Sequence, residues 1–262
     1  MKNLAAKLAN FIHKLLHKNF DFLNSKKAGD FNKNYEWIYK YIEAEKFDIA
    51  ESSFIEIGSR DGLDSLDLIS KFNFSKAFIF EPSHAGIKQT IKNLKNNKKY
   101  SKDITLFPIA LGENNGEVKF YEYVNIAKNH SKPNIGASTI YGSDNENYVT
   151  YNVPIFRLDN LKIDYLSNYL IIMDCEGSEY AVLKGSIEVI KSNKFICLES
   201  SYKNKIGNCE EINSFLEDQN YFLIDCDWPN TKKGNLPNRN LVEENQFCLL
   251  YENSNFQPNS KN

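Results

Sequence analysis

From Ser53 onward the chain alternates short apolar runs with helically spaced ones, and no other feature restricts its fold as much. The strand-like runs are Ser53–Ile57, Ala77–Glu81, Ile104–Ala110, Tyr169–Asp174, Phe195–Glu199, Tyr221–Asp225 and Gln246–Tyr251. Helical spacing fills Leu63–Phe72, Ser83–Asn96, Glu179–Ile190 and Glu210–Gln219. Strands joined through helices pair in parallel and are covered on both faces. The pattern therefore predicts an α/β fold with a mostly parallel seven-stranded sheet and helices on both sides. With 262 residues, 42% hydrophobic and 25% charged, the chain can bury one large core. Disordered and collagenous classes are excluded by the same composition.

The regions outside this alternation define the domain limits. Residues 1–50 read as an N-terminal helical extension, with Leu4, Leu8, Phe11, Ile12, Leu15 and Leu16 at helical spacing among lysines and a second pattern from Tyr35 to Phe47. The first helix is expected to pack on the domain, or on a second subunit as a homodimer contact, rather than to rest on a membrane. Residues 51–252 form the main domain and 253–262 a disordered tail. Within the domain, 112–159 break the alternation with a stretch rich in Asn, Gly, Ser and Tyr, expected to be a substrate or cofactor lid. No apolar run approaches the ~20 residues that span a membrane, and no secretory signal is legible. The five cysteines are odd in number, widely spaced and mostly set in apolar runs, which points to a reducing cytoplasm and to no zinc or other metal site. A net charge of −2, from 32 basic and 34 acidic side chains, argues against a nucleic-acid partner. Only Arg60, Arg157 and Arg239 could clamp an anion bidentately. Arg157 is expected either to anchor part of a substrate or to pair with Asp159.

Candidate chemistry gathers at the ends of the strands. Segment 53–68, SFIEIGSRDGLDSLDL, is a strand, a turn bracketed by Gly58 and Gly62, and a helix. The glycines are expected to let the backbone turn tightly and approach a nucleotide-like ligand, with Ser59 and Arg60 between them. Glu56 at the strand tip opposes a phosphate and suits a ligand carrying an ammonium or sulfonium. The second strand runs into Glu81-Pro82-Ser83, an acid placed where a nucleoside's ribose hydroxyls are bound. Ala110 and Leu111 end the third strand and would border an adenine. The fourth runs into Asp174, Glu176 and Glu179, three carboxylates within six residues. Glu179 suits the positive start of the following helix. Asp174 and Glu176 are read as a base or as ligands to a substrate cation.

These blocks resemble the FkbM family of S-adenosylmethionine-dependent methyltransferases over roughly Ser53–Ser200. Glu56-Ile57-Gly58-Ser59-Arg60-Asp61-Gly62 is similar to the family's first motif, Asp-Val-Gly-Ala-Asn-x-Gly. Phe80-Glu81-Pro82, then Ile109-Ala110-Leu111-Gly112 with Gly116-Glu117-Val118, continue it. Asp174-Cys175-Glu176-Gly177-Ser178-Glu179, with Leu183-Lys184-Gly185 behind, is similar to its most specific block. Two departures stand out: Glu56 replaces the usual Asp, and Ile172-Met173 stand where a Lys is common. The resemblance implies a Rossmann-like class I methyltransferase fold, S-adenosylmethionine as cofactor, and methyl transfer to a hydroxyl of a sugar or surface-glycan precursor. It also implies that Ser138, in the Gly-Ala-Ser-Thr stretch, borders the cofactor. Asp174 or Glu176 would be the base, with His130 and His84 as second choices. Two other classes compete: a nucleoside-binding protein without catalysis, and an NAD-dependent oxidoreductase, whose third glycine is missing here.

Overall fold

A computed structural model of the chain describes residues 34–44, 49–101, 103–124, 135–163, 168–204, 207–242 and 245–256. The helix expected over residues 2–20, with its dimer contact, and residues 257–262 of the tail lie outside them, as does His130. Seven strands form the main sheet: β1 (Ser53–Ile57), β2 (Lys76–Phe80), β3 (Ile104–Phe107), β7 (Asn168–Met173), β8 (Phe195–Ser200), β9 (Tyr221–Cys226) and β10 (Phe247–Asn253). Their order is β3-β2-β1-β7-β8-β10-β9. All neighbours up to β8 pair in parallel, and β10 inserts antiparallel between β8 and β9. The expected mostly parallel, seven-stranded α/β sheet is therefore present.

Period-two alternation assigns the faces of the sheet. Phe54 of β1 packs with Leu170 and Ile172 of β7 against Leu68 and Ile69 of the helix Leu63–Phe72. Tyr35, Ile38, Tyr39 and Ile42 of the N-terminal extension join that same cluster. The extension is fastened further by Asp225 at the opposite edge, which accepts from Lys40 Nζ at 2.9 Å and from the Tyr41 hydroxyl at 2.7 Å. Ile55 and Ile57 face the other way, onto Val182 and Leu183 of the helix Glu179–Lys184 and onto Ile212 and Leu216 of the helix Cys209–Asp218.

The interruption at 112–159 becomes a second, three-stranded sheet, ordered β4-β6-β5, from β4 (Ala110–Leu111), β5 (Gly116–Tyr123) and β6 (Tyr148–Phe156). Phe120 and Val153 seat it on Ile87 of the helix His84–Asn96. Three expected boundaries change. The run Ile104–Ala110 is not one strand: it stops at Phe107, and after Pro108 residues Ala110–Leu111 pair with β6 in the second sheet. The helix expected over Glu179–Ile190 divides into Glu179–Lys184 and Ile187–Lys191, because Asp159 Oδ1 accepts the N–H groups of Glu188 and Val189 and starts a new helix. The last strand runs to Asn253, past the expected start of the disordered tail. Asn253 is buried, and its side chain donates to the Asn193 carbonyl at 3.0 Å. Among the described residues no helix is long and apolar enough to cross a membrane.

Candidate active site

β1 lies between β2 and β7, and the chain leaves β1 in opposite directions to reach them, so their carboxyl ends diverge into a crevice. Three backbone hydrogen bonds carry the pairing past the strand ends: Gly58 N to Phe80 O at 2.9 Å, Glu81 N to Phe107 O at 3.1 Å and Asp174 N to Ile57 O at 2.9 Å. The crevice is an open cleft of about 530 Å³. Gly58, Arg60, Glu81, Pro82 and Asp174 line its sheet side. Ala110, Leu111, Phe120, Ser138 and Ile140 line it from the second sheet and the segment before β6. Eight of the residues expected to bind the cofactor thus meet in one place.

Glu81 is 5% exposed, and burial pushes its carboxyl up to about 7. Two backbone donors oppose that shift: Ser83 N to Oε1 and Arg60 N to Oε2, both at 2.7 Å. Each oxygen keeps acceptor capacity toward the cleft. The turn after β7 is held by Glu179, whose Oε1 accepts from Cys175 N at 2.7 Å and Gly177 N at 3.4 Å. Glu179, the first residue of the helix Glu179–Lys184, thus fixes the loop that precedes it.

Six candidate site residues lie outside this lining. Glu56 shares the face of Phe54, so its carboxylate points under the helix Leu63–Phe72 and accepts the Ser65 hydroxyl. Burial, then the nearby Asp64, raises its pKa well above the usual range. It does not line the cleft. Neither do Ser59, Gly62 or Ser83. His84 is buried with its ring stacked on Tyr151 at 3.9 Å, and also stands outside the lining. Arg157 pairs with Asp159 at 3.4 Å and donates to the Glu113 carbonyl, so it braces the second sheet.

The role expected of the glycines also changes. A Cβ on Gly58 would stand 1.8 Å from the Asp174 carbonyl oxygen, at φ +85°, and one on Gly62 would stand 2.9 Å from Thr90 Cγ2, at φ +73°. The missing side chains make room for β7 and for the helix His84–Asn96, while Gly58 also lines the cleft.

Beyond the cleft's edge the structure assembles a carboxylate cluster that sequence reading completed only in part. Glu199, at the end of β8, joins Asp174 and Glu176, with one oxygen of each within 4.8 Å of the others. Gln246 donates to Glu199 at 2.8 Å and to Glu176 at 3.4 Å. Burial, then the charge of Asp174, pushes Glu199 up to about 9 and Glu176 up to about 7. Burial also raises Asp174, while Arg60 and the hydrogen bond from Glu199 hold it down. At neutral pH Glu199 therefore keeps its proton and donates it in a hydrogen bond to Asp174. Among the described residues these three are the group whose oxygens could hold a cation. Glu199 follows the pattern of Glu81 and Asp174, an acid ending an apolar strand, which is the signal that could have found it.

The profile described as the methyltransferase FkbM domain matches residues 56–223. A methyltransferase FkbM from Methylobacillus flagellatus KT shares the fold, with a TM-score of 0.51 and 16% identity over 80% of this chain and 45% of that one. The chain thus spans less than half the length of that neighbour. Sp1610 of Streptococcus pneumoniae, a candidate tRNA (m1A22) methyltransferase, aligns at 10% identity and a TM-score of 0.48, over 87% of this chain and 72% of that one. Magnesium protoporphyrin IX methyltransferase from Synechocystis PCC 6803, with bound SAM, aligns at 9% identity and 0.47, over 85% and 79%. No curated protein matches the chain significantly.

Gly58→Ala is expected to destabilise the fold by more than about 3 kcal/mol, because strain at positive φ adds to a backbone clash. Urea unfolding measures this. A variant of wild-type stability that has merely lost ligand affinity would contradict the packing role.

Proposed function

Since the chain belongs to the FkbM family of S-adenosylmethionine-dependent methyltransferases, we propose that it methylates a hydroxyl of a sugar or surface-glycan precursor. The observation that carries this reading is the pairing of an open cleft, lined by Glu81, Ala110 and Leu111, with a carboxylate cluster at its rim. Glu81 has the position and the free acceptor capacity to take both ribose hydroxyls. Ala110 and Leu111 offer the small apolar surface an adenine requires. Glu56 is turned away, so Asp174, in the cleft lining, is the carboxylate left for the amino group of the methionine moiety. The cofactor supplies, when bound, a methyl group on a positively charged sulfur.

Chemistry at the acceptor falls to Glu176. A neutral hydroxyl must lose its proton as its oxygen gains the methyl carbon, and a carboxylate with a pKa near 7 can take that proton at neutral pH. Gln246, which also donates to Glu199, holds Glu176 from one side, and the Thr139 hydroxyl donates to its carbonyl at 2.9 Å from the other. The near-balanced charge of the chain supports a small or glycan acceptor over a nucleic acid. The unpaired cysteines support the cytoplasm as its place of work.

Two experiments test this reading. With cofactor saturating, kcat for a glycan acceptor should rise with pH through about 7 and level off above it, because the base works deprotonated. Glu176→Gln should remove that rise and lower kcat by ~10²–10⁴-fold; full turnover in this variant would exclude Glu176 as the base. Calorimetry with S-adenosylhomocysteine tests the other end of the site. Binding should tighten from pH 6 to 8 as Glu81 ionises, and Glu81→Ala should weaken it by at least about tenfold. Unchanged affinity would remove Glu81 from the ribose site.

A further inference from the structure

The second sheet reaches the ribose-facing loop through one buried carboxylate. Glu122, on β5, is 1% exposed. Its Oε2 accepts from the Ser83 hydroxyl at 2.9 Å, from Ala85 N at 3.2 Å and from the Tyr151 hydroxyl. Tyr151, on β6, in turn accepts His84 N at 2.9 Å and stacks its ring on the His84 imidazole. Two side chains of the second sheet thus occupy three groups at the start of the helix His84–Asn96, where backbone N–H groups lack partners and an anion is favoured.

The same contact leads back to the cleft. Ser83, 2% exposed, hydrogen-bonds Glu122 through its side chain while its own N–H donates to Glu81 Oε1 at 2.7 Å. A shift of Glu122 therefore moves Ser83, and with it the carboxylate oxygen that Ser83 holds. Mere attachment of the sheet does not call for this arrangement. Phe120 and Val153 already seat it on Ile87 by apolar packing, and the Ser83 hydroxyl already caps the helix at Gly86 N. A buried carboxylate carries a desolvation cost that packing alone would avoid.

We propose that Glu122 and Tyr151 are positioning residues: from the second sheet, they set the orientation of Glu81 through Ser83. This rests on the reading that Glu81 holds the ribose. It makes the insertion part of the cofactor grip as well as a wall of the cleft. Any ligand or substitution that displaces the second sheet then changes affinity at the opposite side of the site.

Affinity for S-adenosylhomocysteine, measured by calorimetry in Glu122→Ala, Glu122→Gln, Tyr151→Phe, Glu81→Ala and the Glu81→Ala/Glu122→Ala double variant, tests the proposal. Glu122→Ala should weaken binding by roughly tenfold and Tyr151→Phe by about fivefold, the scale of one or two hydrogen bonds. Glu122→Gln, whose amide oxygen can still accept from Ser83, should recover part of the loss. The double variant should bind within about twofold of Glu81→Ala alone, because the two act on one group. Additive losses, or full affinity in Glu122→Gln and Tyr151→Phe alongside an impaired Glu81→Ala, would overturn the positioning role and leave the ribose reading standing. Full affinity in Glu81→Ala would overturn both. Should Glu122→Ala fail to fold, Glu122→Gln and Tyr151→Phe, each also combined with Glu81→Ala, decide the matter.

Discussion

Parallel pairing of β1 with β2 on one side and β7 on the other is the constraint on which the site depends. It is continued past the strand ends by the hydrogen bonds of Gly58, Glu81 and Asp174, each at 2.9–3.1 Å. Those bonds place a glycine turn, the buried acid Glu81 and the acidic loop at one edge of the sheet. Gly58 can hold its place only without a side chain, since the Asp174 carbonyl fills the space a Cβ would need. Packing between strand ends therefore fixes Gly58 where it lines the cleft.

The second consequence is electrostatic. Glu81, Asp174, Glu176 and Glu199 converge on the crevice, and burial raises all four. Arg60 is the cation that faces Asp174. The folded pKa values exceed those of an unfolded chain, so the stability these groups contribute is complete below about pH 4.5. It falls as the pH rises through about 7, and through about 9 for Glu199. The unliganded protein thus holds its site at some cost to stability.

Local features were legible in the sequence, and features created by distant pairing were not. β1 and the helix Leu63–Phe72 stand where strand-like and helical spacing placed them, because each is a short, uniformly patterned segment. Glu81 and Asp174 followed from the rule that acids at strand tips face the crevice. Glu56 sits one residue before a strand's end and so obeys the alternation of the strand, which turns it under the helix beside Ser65. Glu199 ends an apolar run as Glu81 and Asp174 do, and the parallel pairing of β7 with β8 sets it beside Asp174; Gln246 joins through the antiparallel pairing of β8 with β10, which no local pattern announces. Glu122 reads locally as one of several alternating polar residues on a half-exposed strand. Only the seating of the second sheet on the helix His84–Asn96 buries it against Ser83.

A crystal structure of the protein with S-adenosylhomocysteine bound is the most direct test of this account. The account predicts ribose hydroxyls within about 3 Å of both Glu81 oxygens, the adenine against Ala110 and Leu111, the amino group on Asp174, and the sulfur directed toward Glu176. A ligand seated away from Glu81, or one whose sulfur faces away from the Asp174–Glu176–Glu199 cluster, would contradict it.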